Sequence, residues 1–161
     1  MAQIQTQKLD AGDIFPAMSI SMLDGTTMNL PADLSAPQTI FLGYRGKWWS
    51  HCRRQLADFQ ENMPAFAERN VTVMAASVDS QEDAQELVEM LGLTFPVGYG
   101  LDHMEFATQT GAFYEVRRSI IHATEFMLKP DGALIGAVYS VNPIGRYRAS
   151  DCLRMIDFLN R

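Results

Sequence analysis

Two short apolar runs place the strongest constraint on the fold of this chain. Residues 39–44 (TIFLGY) and 71–78 (VTVMAASV) have the length of strands and carry no charged side chain, as expected for strands buried on both faces of a sheet. Between them, apolar residues recur at spacings of three and four, which predicts a helix with one apolar face. The residues of this face are Leu56, Phe59, Met63 and Phe66. A helix between two buried strands implies a parallel pair joined by a crossover.

Turn residues and apolar periodicity place the other elements around this pair. Segments 19–23 and 26–30 flank Asp24-Gly25 and predict an N-terminal β-hairpin. Pro64 lies within the first helix, and we expect it to kink that helix because proline cannot donate a backbone hydrogen bond. A second hairpin is expected over residues 125–140. The further predicted helices cover residues 80–92, from an N-cap at Ser80 to a stop at Gly92, residues 103–110, and a C-terminal segment from about Ser150.

This order of elements predicts a single α/β domain over residues 1–161. We expect a mixed central sheet with helices on both faces and the N-terminal β-hairpin added to it. The length of 161 residues, with 47% apolar and 20% charged residues, is that of a globular domain with a core of its own.

Charge and composition exclude several classes of function. The net charge of −6 argues against a nucleic-acid partner, because a phosphate-binding face needs a surplus of Lys and Arg. No apolar run reaches the length of a membrane span, and the first residues lack the pattern of a secretory signal. Cys52 and Cys152 do not make a disulfide framework, so we expect reduced thiols and a cytoplasmic protein. The three histidines have no metal-ligand spacing with these cysteines, and we expect neither a metal nor another cofactor.

The candidate active site is the segment YRGKWWSHCRRQL, residues 44–56. It joins the carboxyl end of a buried strand to a helix, which is where sheets of this kind bind ligands. Cys52 is expected at the first turn of the helix, where unpaired N–H groups and the helix dipole favour a thiolate. Ser50 could cap the helix or donate to the thiolate, and His51 could help when protonated. The nearby cations are Arg45, Arg53 and Arg54. We therefore expect the pKa of Cys52 to lie below the value of an unperturbed thiol, about 8.5.

Five segments carry a resemblance to a known family. They are FLGYRGKWWSHCRRQL, VTVMAASVDS, LGLTFPVGYG, ATEFMLKPDG and AVYSVNPIGR. In order and spacing, from about residue 10 to the C-terminus, they resemble the alkyl hydroperoxide reductase/thiol-specific antioxidant (peroxiredoxin-like) family. The resemblance implies a thioredoxin-like fold and a thiol peroxidase in which Cys52 is the peroxidatic nucleophile. It implies hydrogen peroxide or an organic hydroperoxide as substrate and an external thiol as reductant, and it leaves open a homodimer.

Two positions depart from the family's usual pattern. Relatives commonly carry Trp-Cys-Pro-x-Cys here, or a threonine three residues before the peroxidatic cysteine, and this chain has Trp49 at that position. Arg45 stands where a proline is usual. With Trp49 in place of a cysteine, no disulfide can form inside the motif, which argues against a dithiol-disulfide exchanger. A redox-active Cys52 would be oxidised to a sulfenic acid and resolved by another thiol.

Several neighbours of Cys52 have more than one open interpretation. Trp48 and Trp49 could wall a dry substrate pocket over the sulfur, or at least one could simply pack in the core. Arg45 could orient a peroxide, pair with a carboxylate or be solvated. In the resemblance, Ala123 occupies the usual proline or arginine position of a loop that abuts the active cysteine. The side chain of Thr124 could supply a hydroxyl group to the site, or its hydroxyl could form a hydrogen bond within its own turn.

The C-terminal part of the chain contributes two further candidates. If the last strand runs parallel to strand 39–44, the loop SVNPIGR emerges beside Cys52, and Arg146 could face the site; the loop could equally have only a structural role. Cys152 could resolve an oxidised Cys52, but it shares an apolar helix face with Ile156 and suits a small buried residue. We expect Cys152 to be structural and an external thiol to resolve Cys52.

The sequence leaves two classes of function. The first is a one-cysteine, peroxiredoxin-like thiol peroxidase, favoured by Cys52 at a helix start with arginines nearby. The second is a non-catalytic or redox-sensing thioredoxin-fold module, in which Cys52 is the buried relic of a two-cysteine motif. Trp49, in place of a cysteine or threonine, favours the second class. We expect the first.

Overall fold

The computed structural model describes residues 7–161 and is built on a seven-stranded sheet. The strands of this sheet are β1 (Met18–Met22), β2 (Thr27–Leu30), β3 (Thr39–Gly43), β4 (Thr72–Ala76), β5 (Val97–Tyr99), β8 (Ala123–Leu128) and β9 (Leu134–Ser140). Their spatial order is β2-β1-β5-β4-β3-β8-β9. The short strands β6 (Tyr114–Glu115) and β7 (Ile120–Ile121) form a separate hairpin.

The directions of the strands decide which loops meet at one end of the sheet. β3 pairs with β4 in parallel and with β8 antiparallel, and β9 pairs antiparallel with β8. β9 therefore runs parallel to β3, as the sequence predicted, and the residues after Gly43 and after Ser140 leave the sheet at the same end. This mixed sheet is the thioredoxin-like architecture that the sequence predicted.

Helices cover both faces of the sheet, which confirms the expected layering. They are α1 (Ser50–Glu61), α2 (Met63–Glu68), α3 (Gln81–Leu91), α4 (His103–Thr110) and α5 (Ala149–Leu159). Ile40 and Leu42 of β3 pack in a core cluster with buried residues of α1, α2, α3 and α5. Phe41 points to the other face and packs in a second cluster with α4, because successive side chains of a strand alternate between faces. Burial of these apolar side chains holds the helices on the sheet.

The structure differs from the sequence prediction at the first helix. Instead of a single kinked helix, the chain forms α1 and α2 with a break at Asn62. Pro64 lies in the first turn of α2, where a missing N–H costs little because that group has no partner within a helix. The Asn62 side chain donates to the Asp58 carbonyl oxygen over 2.8 Å and fixes the break. The predicted N-cap at Ser80 is confirmed by its contact with the backbone N–H of Asp83.

Three strands were missed from the sequence. β5 has only three residues, and β6 and β7 have two each, which is too short for an alternating pattern to emerge. Within residues 7–161, no helix has both the length and the apolar character that a membrane span requires.

Gly43, the last residue of β3, allows the close approach of β8 beneath the candidate site. A Cβ atom there would lie 2.7 Å from the backbone oxygen of Thr124. We expect Gly43→Ala to lower the free energy of unfolding by about 1–3 kcal/mol through overpacking, as measured by urea denaturation. Gly136→Ala is the matched strand control, since its added Cβ would meet only the Tyr147 hydroxyl at 3.3 Å. Equal losses in the two variants would contradict this account of the β3–β8 contact.

Candidate active site

Cys52 is the third residue of α1 and is fully buried, with 0% of its surface exposed. Its sulfur accepts a hydrogen bond from the backbone N–H of Arg45 at 3.4 Å. The N-cap of α1 is Trp49, and no side chain caps this end. Ser50 is the first helical residue, so the expectation that it could cap the helix is wrong. The sulfur lies at the N-terminal turn of the helix, as the sequence predicted, where the helix dipole favours a thiolate.

The loop between β3 and α1 is held in place by Asp79, which follows β4. The Asp79 carboxylate accepts a hydrogen bond of 2.8 Å from the backbone N–H of Lys47. The Arg53 guanidinium in turn donates to the Lys47 carbonyl oxygen over 2.7 Å. A Cβ at Gly46 would lie 2.5 Å from the Trp48 indole nitrogen and 2.9 Å from an Asp79 oxygen, so this loop can pack so closely only with glycine there. The loop thereby fixes the Arg45 N–H that points at the sulfur.

Arg146 is the cation that contacts Cys52. Its Nη1 lies 3.5 Å from Cys52 Sγ and donates to Gln55 Oε1 over 3.2 Å. Arg146 enters from the loop after β9, 94 residues further along the chain, because β9 and β3 are parallel. Its Nε and Nη2 are buried and have no hydrogen-bond partner among the described residues. Two nitrogens of the guanidinium that contacts the sulfur are thus left without an acceptor.

The expectation of an acidic thiol is contradicted for this buried arrangement. Burial raises the pKa of Cys52 above its ordinary value, because a thiolate loses its hydration. The charge of Arg146 and the hydrogen bonds from the Arg45 N–H and the Arg146 guanidinium lower that pKa, but by less than burial raises it. Arg53 and Arg54, which were expected to add positive potential, do not contact the sulfur. Arg53 bonds the loop backbone, and Arg54 is exposed.

A buried carboxylate lies behind Arg146 and was missed from the sequence. Glu125 of β8 is 1% exposed, and its oxygens accept hydrogen bonds of 2.6 Å from Gln55 Nε2 and from the backbone N–H of Tyr147. Burial raises the pKa of Glu125 to about 7, although both hydrogen bonds and the charge of Arg146 act in the opposite direction. A single charged residue in the otherwise uncharged segment 123–128 was the available signal in the sequence.

The guanidinium of Arg45 pairs with a carboxylate, one of its three open interpretations. It is 5% exposed, lies 3.4 Å from Glu115 and stacks 4.2 Å from the Trp49 ring centre. Glu115 also binds Arg118 at 2.7 Å and lies 3.1 Å from His122. Burial and the charge of Arg45 lower the pKa of His122 to about 4, so this histidine is neutral. Arg45 therefore serves the site through its backbone N–H, and its side chain ties the loop to β6.

The two tryptophans have different positions. Trp49 is half-buried and packs against the core cluster that contains Cys52, and its indole N–H is buried with no partner among the described residues. Trp48 is 44% exposed, and the guanidinium groups of Arg45 and Arg118 each lie 5.3 Å from its ring centre. Trp49 is thus a wall of the buried site, and Trp48 lies at its surface.

Thr124 bonds within its own turn, the second of its open interpretations. Its hydroxyl donates to the His122 carbonyl oxygen over 2.9 Å. Ala123 is buried at the start of β8, the strand next to β3. The loop thus lies beside the site, but its one hydroxyl is already satisfied.

A cleft of about 530 Å³ opens next to Arg146. It is lined by His51, Gln55 and the loop 143–148. The substrate pocket was expected at Trp48, Trp49, Thr124 and Arg146. Of these four residues, only Arg146 lines this cleft. Arg146 and Gln55 separate the cleft from the sulfur of Cys52. A molecule in the cleft would reach the thiol past these two side chains.

Cys152 is a second free, buried thiol in the first turn of α5. It packs in the same core cluster as Ile156. Burial, together with the smaller effects of the negative charges of Glu125, Asp151 and Asp58, raises the pKa of Cys152 to about 12. Among residues 7–161, no group of three or more His, Cys, Asp or Glu side chains is arranged to hold a metal.

The fold of the chain is similar to that of solved peroxiredoxin structures. The chain aligns with peroxidoxin BcpB from Mycobacterium tuberculosis at a TM-score of 0.80, with 16% identity, over 94% of this chain and 98% of that one. It aligns with Mycobacterium bovis AhpC at a TM-score of 0.80, with 18% identity, over 97% of this chain and 100% of that one. These likenesses show the fold.

Sequence comparison shows the family. The model of the AhpC/TSA family matches residues 11–136, and the chain belongs to this peroxiredoxin family. It is 29% identical over 147 residues to a protein of Mycobacterium tuberculosis strain H37Rv that bears the name peroxiredoxin Rv2521, covering 88% of this chain and 92% of that protein. It is 28% identical over 92 residues to the thiol-disulfide oxidoreductase ResA of Bacillus thuringiensis, covering 56% of this chain and 52% of that protein.

Replacing Arg146 tests its contact with the sulfur. We expect Arg146→Met to raise the pKa of Cys52 further, because the largest favourable charge beside the thiolate is removed. The thiolate absorbance at 240 nm followed against pH, in a Cys152→Ser background, measures this directly. Arg54→Met is the matched control and should leave the titration unchanged. A shift of equal size in both variants would show that general surface charge, and not the contact, acts on the thiol.

Proposed function

We propose that the protein is a one-cysteine thiol peroxidase that reduces hydrogen peroxide or an organic hydroperoxide at Cys52. The observation that carries the proposal is the contact of Arg146 with the buried sulfur at the start of α1. Membership of the AhpC/TSA family supports it. A peroxidase needs a thiolate and hydrogen-bond donors aimed at the peroxide oxygens. We assign the donor role to the unpaired Nε and Nη2 of Arg146, whereas the backbone N–H of Arg45 donates to the sulfur itself.

In the proposed reaction the Cys52 thiolate attacks one oxygen of the peroxide. A sulfur–oxygen bond forms and the oxygen–oxygen bond breaks. The sulfur is oxidised by two electrons to a sulfenic acid, and the leaving oxygen takes up a proton as water or an alcohol. Arg146 stabilises the negative charge that moves from the sulfur to the leaving oxygen. His51 lines the cleft and is placed to contact the peroxide there, whereas Ser50 is left without a defined role.

We further propose that an external thiol, and not Cys152, completes the cycle. The external thiol attacks the sulfenic acid and releases water, and a second thiol then cleaves the mixed disulfide to restore Cys52. Cys152 is a poor candidate because its high pKa leaves almost none of it as a thiolate in this fold. Free thiols at both cysteines suit a reducing compartment, and we propose the cytoplasm.

The alternative, a non-catalytic or redox-sensing module, is favoured by two observations. Burial raises the pKa of Cys52, and Trp49 stands where the family commonly has a hydroxyl or a second thiol. Such a module would keep Cys52 reduced under excess peroxide, or oxidise it without turnover.

The products formed from each cysteine distinguish these possibilities. After one equivalent of hydrogen peroxide, we expect a dimedone adduct at Cys52 in intact-mass and peptide analysis, and none in Cys52→Ser. Cys152→Ser should retain at least half of the wild-type peroxide turnover with dithiothreitol as the external thiol, because Cys152 has no part in the cycle. A quantitative Cys52–Cys152 disulfide would contradict the one-cysteine mechanism. A free Cys52 thiol after excess peroxide would support the non-catalytic module.

A further inference from the structure

Glu125 is a buried charge whose position needs an explanation. It is 1% exposed in β8, a strand of the sheet interior that pairs with β3 on one side and β9 on the other. Burying a carboxylate costs free energy unless hydrogen bonds and a cation compensate it. An apolar side chain at this position would avoid that cost.

The contacts of Glu125 all lead to Arg146. Glu125 Oε2 accepts from Gln55 Nε2 at 2.6 Å, and Gln55 Oε1 accepts from Arg146 Nη1 at 3.2 Å. Glu125 Oε1 accepts at 2.6 Å from the backbone N–H of Tyr147, the residue after Arg146. Two residues further on, the backbone N–H of Ala149 donates to Asp58 Oδ2 over 2.8 Å. The carboxylate thus holds the arginine both through Gln55 and through the adjacent backbone.

In its ionised form, which dominates above pH 7, the carboxylate of Glu125 helps to set the orientation of the Gln55 amide. A carboxylate only accepts hydrogen bonds, so Glu125 turns the NH₂ group of Gln55 toward itself and leaves the amide oxygen for Arg146. The Tyr147 carbonyl oxygen, which accepts from Gln55 Nε2 over 3.1 Å, supports the same orientation. A neutral amide at position 125 could instead donate a hydrogen bond to Gln55. The amide group of Gln55 would then take the reversed orientation. The NH₂ group of Gln55 would then face the guanidinium, and two donors would oppose each other.

The charged and titratable groups around Glu125 come from three elements. Cys52 faces it from α1, Arg146 and Tyr147 face it from the loop after β9, and Cys152 faces it from α5. The negative charge of Glu125 raises the pKa of both thiols, so charge alone makes this carboxylate unfavourable to the Cys52 thiolate. The favourable effect of Glu125 on the site is therefore that it positions Arg146, and not that it carries a charge.

We propose that Glu125 is a positioning residue that fixes the guanidinium of Arg146 against Cys52 through the oriented amide of Gln55. This inference rests on the proposed peroxidase function, because it assigns Glu125 to the placement of a donor that the peroxide reaction uses. Reagents that need only the thiolate do not depend on this placement.

Two rate constants for Cys52 test the role of Glu125 in a Cys152→Ser background. One is for hydrogen peroxide, and the other is for iodoacetamide at a pH where the thiol is ionised in every variant. We expect Glu125→Gln to slow the peroxide reaction at least tenfold and to change alkylation by less than twofold. In an Arg146→Met background, Glu125→Gln should cause little further loss, because the two residues act as one unit.

A charge-conserving exchange provides the rescue. In Gln55→Glu/Glu125→Gln, the new carboxylate at position 55 accepts from Arg146 and from the amide at position 125, whose oxygen still accepts from Tyr147 N–H. We expect this double variant to recover the peroxide rate constant to within threefold of the parent. If Glu125→Gln alone does not fold, this exchange and the Arg146→Met variant decide the matter.

Three results would overturn the inference. They are equal slowing of peroxide reduction and alkylation, independent effects of Glu125 and Arg146, and a folded exchange variant that stays slow. A parent protein that does not react with peroxide would contradict the proposed function itself, and the inference with it. A parent that reacts while Glu125→Gln reacts equally fast would overturn the inference alone.

Discussion

The contact between the Arg146 guanidinium and the Cys52 sulfur is the interaction on which this site depends. A thiol with no exposed surface resists ionisation, because its charged form loses the hydration that water would supply. The N-terminal turn of α1 and the Arg45 N–H offset part of that cost, and Arg146 provides the largest opposing charge. Without this contact Cys52 would be a small core residue like Cys152.

The topology of the sheet brings these two residues together. Cys52 follows β3 and Arg146 follows β9, and the intervening antiparallel strand β8 makes the two parallel. β8 also carries Glu125 beneath the contact, so one strand sets both the direction of the loops and the buried acceptor. The same central strands contribute buried side chains to both core clusters, and Cys52 itself packs in one of them.

The sequence could predict the parts of this arrangement that follow from local pattern. The apolar runs predicted the strands β3 and β4. The strand-to-helix junction predicted that Cys52 lies in the first turn of α1. The direction of β9 was predicted from the expected fold and not from a local pattern. The approach of Arg146 to Cys52 follows from that direction. Side-chain partners could not be predicted, because Arg45 has carboxylates and tryptophans within reach and only packing selects Glu115. The acidity of Cys52 was misjudged for a similar reason, since the extent of burial is a tertiary property.

The central claim is that a buried thiol beside Arg146 is an efficient nucleophile toward peroxide. Stopped-flow mixing of the reduced protein with hydrogen peroxide tests it most directly, with free cysteine at equal thiolate concentration as the reference. The account predicts that one equivalent is consumed per chain, roughly a hundredfold or more faster than by free cysteine, and that Cys52→Ser does not react. A rate equal to that of free cysteine, or a reaction that survives Cys52→Ser, would contradict it.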